Sequence, residues 1–184
     1  IILNKEVTHI ITEEGRAAGV SLSDGKKISA DAIVLATGGL SYASTGSTGD
    51  GHRMARELGH TVTPCFPALV PVNTKEDWCR TLQGLSLKNV TFTVKDGKKK
   101  LYEDFGEMLF THFGISGPLV LSASSKIVKK LDKNPLSAFI DLKPALTDEQ
   151  LDARLLRDFS QEKNKQFKNA LNGLFPARLA EQIV

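Results

Sequence analysis

A chain of 184 residues has room for one sizeable core, or for a smaller core with an appended segment. Its apolar share of 41%, charged share of 24% and aromatic share of 7% are those of an ordinary soluble globular protein, which excludes a fibrous or low-complexity chain. The formal charge of +3 is too small to argue for nucleic acid or an anionic membrane, and no apolar run nears the roughly 20 residues that span a bilayer.

Cys65 and Cys79 lie too far apart for a CxxC pair, no His cluster accompanies them, and a zinc site needs more ligands at closer spacing. A reduced, cytoplasmic chain with two structural thiols and no metal is the expectation. Nothing resembles a signal peptide. The sequence opens on Ile1-Ile2-Leu3 without Met and stops within a helical pattern at Val184, so it reads as an internal fragment of a longer protein.

Val7, Ile10 and Ile11, a turn at Glu14-Gly15, then Ala18, Val20 and Leu22, a second turn at Asp24-Gly25, and Ile28 predict a three-stranded antiparallel meander. Ala32 to Ala36 is a continuous apolar run of the kind buried on both faces of a parallel sheet. A helix is expected from about Asp50, with Met54, Ala55 and Leu58 on one face and Gly59 just past its end. Thr61 to Val72 reads as a β-rich crossing between domains, although Pro64, Pro67 and Pro71 bar a central strand for much of it.

Strands are expected at Val90 to Val94 and Lys99 to Tyr102, joined at Asp96-Gly97 with the basic run Lys98 to Lys100 exposed on the hairpin. Phe110 to Pro118 reads as a Gly/Ser loop, and Pro118 suits the first position of a helix carrying Leu119, Val120, Ala123, Ile127 and Leu131. Ala138 to Leu142 is a further strand. Thr147 with Gln150 forms a capping box before a helix bearing Leu151, Leu155 and Phe159. Short helices at Gln166 to Leu171 and from Pro176 complete a mixed α+β chain. Its expected division is 1–60 and 61–184, the latter β-rich over 61–146 and helical over 147–184.

The chemistry concentrates between Ala36 and Gly51. Gly38 and Gly39 lack a Cβ, so at Ala36-Thr37-Gly38-Gly39 the backbone can approach a ligand closely and turn N–H groups toward it, at the carboxyl end of a strand. About ten residues on, Thr48-Gly49-Asp50-Gly51 sets a second Gly-rich turn at a helix N-terminus, where orphan N–H groups favour phosphate or flavin oxygens. Asp50 is either the helix N-cap or a ligand contact. Alone, the first turn is no more than a tight strand-to-loop turn; the order of meander, apolar strand, first turn and second turn is what a random turn does not produce.

Val34 to Tyr42 and Ser44 to Gly51 resemble the YhiN/BaiN-type family of bacterial NAD(P)/FAD-dependent oxidoreductases, some of them called aminoacetone-oxidase-like. The resemblance continues through Leu58 to Val62, Pro67 to Pro71, Gly84 to Val90, Gly106 to Pro118 and Leu174 to Ala180, nearly the whole chain. It implies the tail of a glutathione-reductase-like FAD-binding domain, followed by an inserted domain of β-barrel and helices. It further implies FAD on Ala36, Thr37, Gly38, Gly39, Thr48, Gly49, Asp50 and Gly51, with NAD(P)H and a small organic substrate as partners. Ala43 departs from the pattern, which has Pro after the Ser-Tyr pair. The family's GxGxxG turn and its C-terminal Gly-rich segment do not occur in these 184 residues, so this stretch alone is expected to be inactive and to hold little or no FAD.

His112 either sits by the substrate as a proton donor or carboxylate-orienting group, or hydrogen-bonds locally within its loop. Ser116 reads as a cap or an anion contact, and Tyr42 as a buried ring or one lying on the cofactor's edge. Arg53, Arg56 and Arg178 read as solvated helix faces, His52 as exposed, and Trp78 as a core or interface anchor. Two other readings remain open. One is a succinate dehydrogenase or fumarate reductase relative, which shares the two Gly-rich turns. The other is a non-catalytic module whose barrel binds a partner or RNA; the few, dispersed aromatics argue against an RNA groove.

Overall fold

The computed structural model describes residues 1–162 and 166–184. The chain divides into two compact units, Ile1–Cys65 and Phe66–Val184. In the first, β1 (Val7–Glu13), β2 (Arg16–Leu22) and β3 (Lys27–Ser29) form the expected antiparallel meander in that order. Glu13 pairs with Arg16 across Glu14-Gly15, and both loop residues have positive φ (49° and 77°), as a type I′ turn requires. Helix α1 (Asp50–Glu57) buries Met54. It ends in a Schellman motif: the Gly59 N–H donates to Arg56 O and the His60 N–H to Ala55 O, both at 2.9 Å.

The apolar run Ala32 to Ala36 is not the buried strand that its composition predicts. It forms no strand and is unpaired, and Val34 is 90% exposed. A strand of a parallel sheet is covered only when its neighbours are present, and no described residues form a strand beside it.

The second unit is a five-stranded antiparallel sheet ordered β4-β7-β6-β5-β8. Its strands are β4 (Val72–Asn73), β5 (Ser86–Asp96), β6 (Lys99–Thr111), β7 (Gly114–Ser116) and β8 (Ser137–Asp141). A short helix, α2 (Trp78–Thr81), precedes β5. β5 and β6 are far longer than the sequence pattern marks, and their added stretches bring Leu87, Met108 and Phe110 into the core. Most of Thr61 to Val72, expected to be β-rich, is irregular. The three prolines remove ladder donors there, and only Val72 enters the sheet.

Helix α3 (Pro118–Leu131) lies on this sheet through Leu119, Val120, Ala123 and Ile127, while Leu131 is more than a third exposed. Together with Phe92, Met108, Phe110 and Leu82 they form the main core. The buried Ser124 Oγ is fully used: it accepts from the Val70 N–H at 3.0 Å and donates to Leu121 O at 2.7 Å, fastening the connector to α3. Helix α4 (Asp148–Gln161) opens with the expected capping box. It packs Leu155 and Phe159 against Leu171, Leu174 and Ala180 of the C-terminal helices, α5 (Phe167–Ala170) and α6 (Ala177–Ile183), and of the 3-10 turn between them. No helix among the described residues is long and apolar enough to cross a membrane.

Candidate functional site

Both Gly-rich turns belong to the first unit, and they meet. A Cβ on Gly38, whose φ is 76°, would stand 2.7 Å from Ser47 Oγ; one on Gly49, φ 90°, would stand 2.6 Å from Leu40 Cδ2. At the first turn of α1, a Cβ on Gly51 would strike Thr37 Oγ1 and touch Leu35 Cδ2 at 3.6 Å. The segment Leu35 to Thr37 therefore rests directly on the start of the helix, a closeness that only glycine at 51 permits. Between the turns, a 3-10 turn at Ala43–Thr45 is entered through Tyr42 at φ 58°.

The cradle faces outward. Ala36, Thr37, Gly38 and Thr48 are exposed, Gly39, Gly49 and Asp50 half-buried, and Gly51 buried. Among the described residues no hydrogen bond engages the backbone N–H groups of residues 36–39. Tyr42 is 82% exposed rather than buried, so it lies open beside the turns.

Asp50 is not the N-cap. Gly49 holds that position with no side-chain cap, and Asp50 is the first helical residue. The left-handed conformation needed at 49 suits Gly, which displaces Asp by one place. The Asp50 carboxylate accepts from Thr48 Oγ1 and from Arg53 Nη2 at 3.4 Å, and these bonds, the Thr48 hydroxyl first, hold its pKa below the ordinary carboxylate value. A carboxylate so engaged stays ionised and positions Thr48 at the rim of the second turn.

Arg53 is half-exposed, but it does more than face solvent. Its guanidinium donates to Thr8 O at 3.0 Å and to Glu57 Oε1 at 2.8 Å, and His9 Nδ1 lies 3.1 Å from Glu57 Oε2. The spacing of Asp50, Arg53 and Glu57, three and then four residues apart, was a legible signal for this network. The bond to a strand carbonyl was not. His52 is half-buried rather than exposed, with Nδ1 3.9 Å from the sulfur of Cys65, which is itself exposed.

His112 belongs to the other unit. Residues 110–116 form not a loop but a hairpin, with Thr111 paired to Gly114 and a turn at His112-Phe113 in which His112 is exposed and Phe113 half-buried. The imidazole stands edge-on to Phe113 at 4.7 Å, and no described side chain hydrogen-bonds it. Ser116 lies in β7 and caps nothing; Gly117 is the α3 N-cap, followed by Pro118 as expected. Arg178 is exposed, as expected, and it also donates to the carbonyls of Thr81 and of Gln83, the latter at 2.9 Å, which satisfies the end of α2. Cys79 is buried, and burial pushes its thiol pKa up, which suits a packing role. Among the described residues no group of three or more His, Cys, Asp or Glu could hold a metal ion.

The sequence model of the HI0933-like protein Rossmann domain matches residues 1–121, and that of the HI0933-like protein barrel and H2TH domain matches residues 66–184. The chain belongs to the HI0933-like family. This is the YhiN/BaiN-type family to which the Gly-rich run points, and its Rossmann-type and barrel/H2TH domains agree with the mixed α/β architecture. The chain is 31% identical over 163 residues to a 3-dehydro-bile acid delta(4,6)-reductase of Clostridium scindens, covering 88% of this chain and 40% of that protein. It is 29% identical over 182 residues to a ribosomal RNA dihydrouridine synthase of Escherichia coli, covering 98% of this chain and 42% of that protein. A protein of the same name from Haemophilus influenzae is 34% identical over 129 residues, 68% of this chain and 31% of its own. The chain thus spans less than half the length of the curated relatives it matches.

Proposed function

We propose that the protein is an FAD-dependent reductase supplied by NAD(P)H, and that residues 36–39 and 48–51 form one side of its flavin site, within a glutathione-reductase-like domain. The observation that carries this reading is the cradle itself: two glycine turns in contact, unbonded N–H groups along 36–39, and a buried Gly51 that lets Thr37 reach the start of α1. These features fit a large ligand with anionic and carbonyl oxygens. When bound, FAD supplies hydride acceptance and donation at N5.

The chain's own residues do the positioning. N–H groups at Gly38 and Gly39 donate to ligand oxygens, Gly51 sets the depth of the cradle, and Asp50 keeps the Thr48 hydroxyl fixed. Both kinds of relative carry names that describe added hydrogen, a reductase and a dihydrouridine synthase, which supports reduction of an unsaturated substrate. A small organic substrate is the first reading. Ribosomal RNA is the second, favoured by the two relatives named for it.

The test is the absorption spectrum of the full-length protein and its anaerobic bleaching by NADH or NADPH. Reoxidation is then followed with a conjugated steroid ketone in one arm and an unmodified ribosomal RNA transcript in the other. A full-length protein without a flavin band sinks the proposal.

A further inference from the structure

Phe105 and Phe139 lie far apart in the sequence, yet the sheet of Phe66–Val184 brings them onto one face. Thr91 of β5 pairs with Phe105 of β6, and Thr93, two residues on, pairs with Phe139 of β8. Paired residues, and residues two apart on a strand, share a face. Val90, Phe92 and Val94 take the opposite face and are buried with α3 in the main core. Phe105 and Phe139 are left 58% and 52% exposed.

Lysines gather at the hairpin end of the same face. Lys95 follows Thr93 by two residues and lays its Nζ 4.8 Å from the centre of the Phe139 ring. Lys98 and Lys99, at the turn of the hairpin, are exposed and in no ion pair among the described residues. The acids nearby are already engaged. Glu103 accepts from Lys100 Nζ at 2.5 Å and from the Thr93 hydroxyl at 3.0 Å, and Asp96 meets Lys130 of α3 at 3.4 Å. Asp141, beside Thr91, and Glu107, two residues beyond Phe105, stand toward the other end.

We infer, on the RNA reading proposed above, that single-stranded RNA docks on this outer face of β8, β5 and β6. Its bases stack on Phe139 and Phe105, and Lys95, Lys98 and Lys99 hold its phosphates. Rings set among Thr and Glu side chains give stacking faces without the continuous apolar area of a protein interface core. Cations beside the rings match the alternation of phosphate and base along an RNA strand. A duplex keeps its bases stacked on one another, so an unpaired segment is what the rings can take.

Fluorescence anisotropy on the full-length protein tests this, with a labelled oligouridine of about twelve nucleotides and an RNA duplex of the same length as probes. The expected result is binding of the single strand in preference to the duplex. Phe105→Ala and Phe139→Ala should each weaken it about tenfold, and Phe139→Tyr should bind as the unmodified protein does. Lys98→Gln combined with Lys99→Gln should lower the slope of log affinity against log salt by about 1.4, two charges at about 0.7 each. Flavin absorbance and its bleaching should be the same in every variant. Equal affinity for the duplex, or unchanged affinity in both Phe→Ala variants, overturns the inference and leaves the RNA reading standing. A full-length protein that keeps its flavin band yet binds no single strand overturns both, without touching the reductase reading.

Discussion

Arg53 donates to the Thr8 carbonyl at 3.0 Å while holding Glu57 at 2.8 Å, so one guanidinium ties α1 to β1. Arg53 first and His9 second hold the Glu57 carboxyl below its ordinary pKa. The sign follows: a carboxylate depressed in the folded state contributes stability above its unfolded pKa of about 4.3, and loses it as pH falls through the lower folded value. Arg53→Met should therefore raise the Glu57 titration midpoint and flatten the fall in melting temperature between neutral pH and about pH 3, where such carboxylates protonate. An unmoved Glu57 midpoint, followed by carboxyl NMR, would rule the network out. The two central glycines separate packing from ligand approach. Gly51→Ala forces a Cβ into Thr37 and should cost about 1–3 kcal/mol, as overpacking does. Gly39 has open space around its Cβ position and no left-handed φ, so Gly39→Ala should leave stability unchanged yet lower flavin occupancy in the full-length protein. Equal flavin content in Gly39→Ala and the unmodified protein would place the ligand elsewhere.

At the level of elements, α4 shows what local pattern can carry. None of its residues is fully buried, so its start depends on Thr147 Oγ1 accepting from the Gln150 N–H at 3.3 Å, and on the reciprocal bond from the Thr147 N–H to Gln150 Oε1 at 3.0 Å. Thr147→Ala should cost about 1 kcal/mol in chemical denaturation, and Thr147→Ser should restore most of it. Features set by neighbours in sequence were legible in this way: the meander, the capping box, Pro118 at the start of α3, and the Schellman end of α1. Features set by distant partners were not. Ala32 to Ala36 has the composition of a buried strand, but composition is silent on whether a neighbour is there to cover it. His112 reads as a loop residue until Thr111 and Gly114 pair and turn it into the tip of a hairpin. Asp50 and Gly49 exchange roles because backbone geometry at the cap outweighs the side-chain preference for Asp. The candidate site was legible as a set of residues in order. The contact of Gly51 with Thr37, which brings its two halves together, was not.

Across the whole chain, the two Gly-rich turns and the exposed His112 fall in different units, and in the function proposed for the protein those turns form only one wall of the flavin site. No GxGxxG turn occurs anywhere in the 184 residues, and in dinucleotide-binding folds that turn supplies the N–H groups for the pyrophosphate. The N–H groups at 36–39 and the α1 N-terminus give a handful of donors on an exposed rim, without walls to exclude water. Hydrogen bonds made at such a rim exchange with water at a net gain of only about 0.5–1.5 kcal/mol each, which the entropy of fixing a ligand readily offsets. The 184-residue chain mixed with excess FAD should therefore lose its flavin absorbance on dialysis, while the full-length protein keeps it. Because the first unit holds its meander and α1 through its own contacts, circular dichroism of the short chain should be the same with and without FAD. A flavin band that survives dialysis of the short chain would mean that residues 1–65 hold far more of the cofactor than the two glycine turns explain, and the site would have to be redrawn around the exposed Tyr42 and the 3-10 turn beside it.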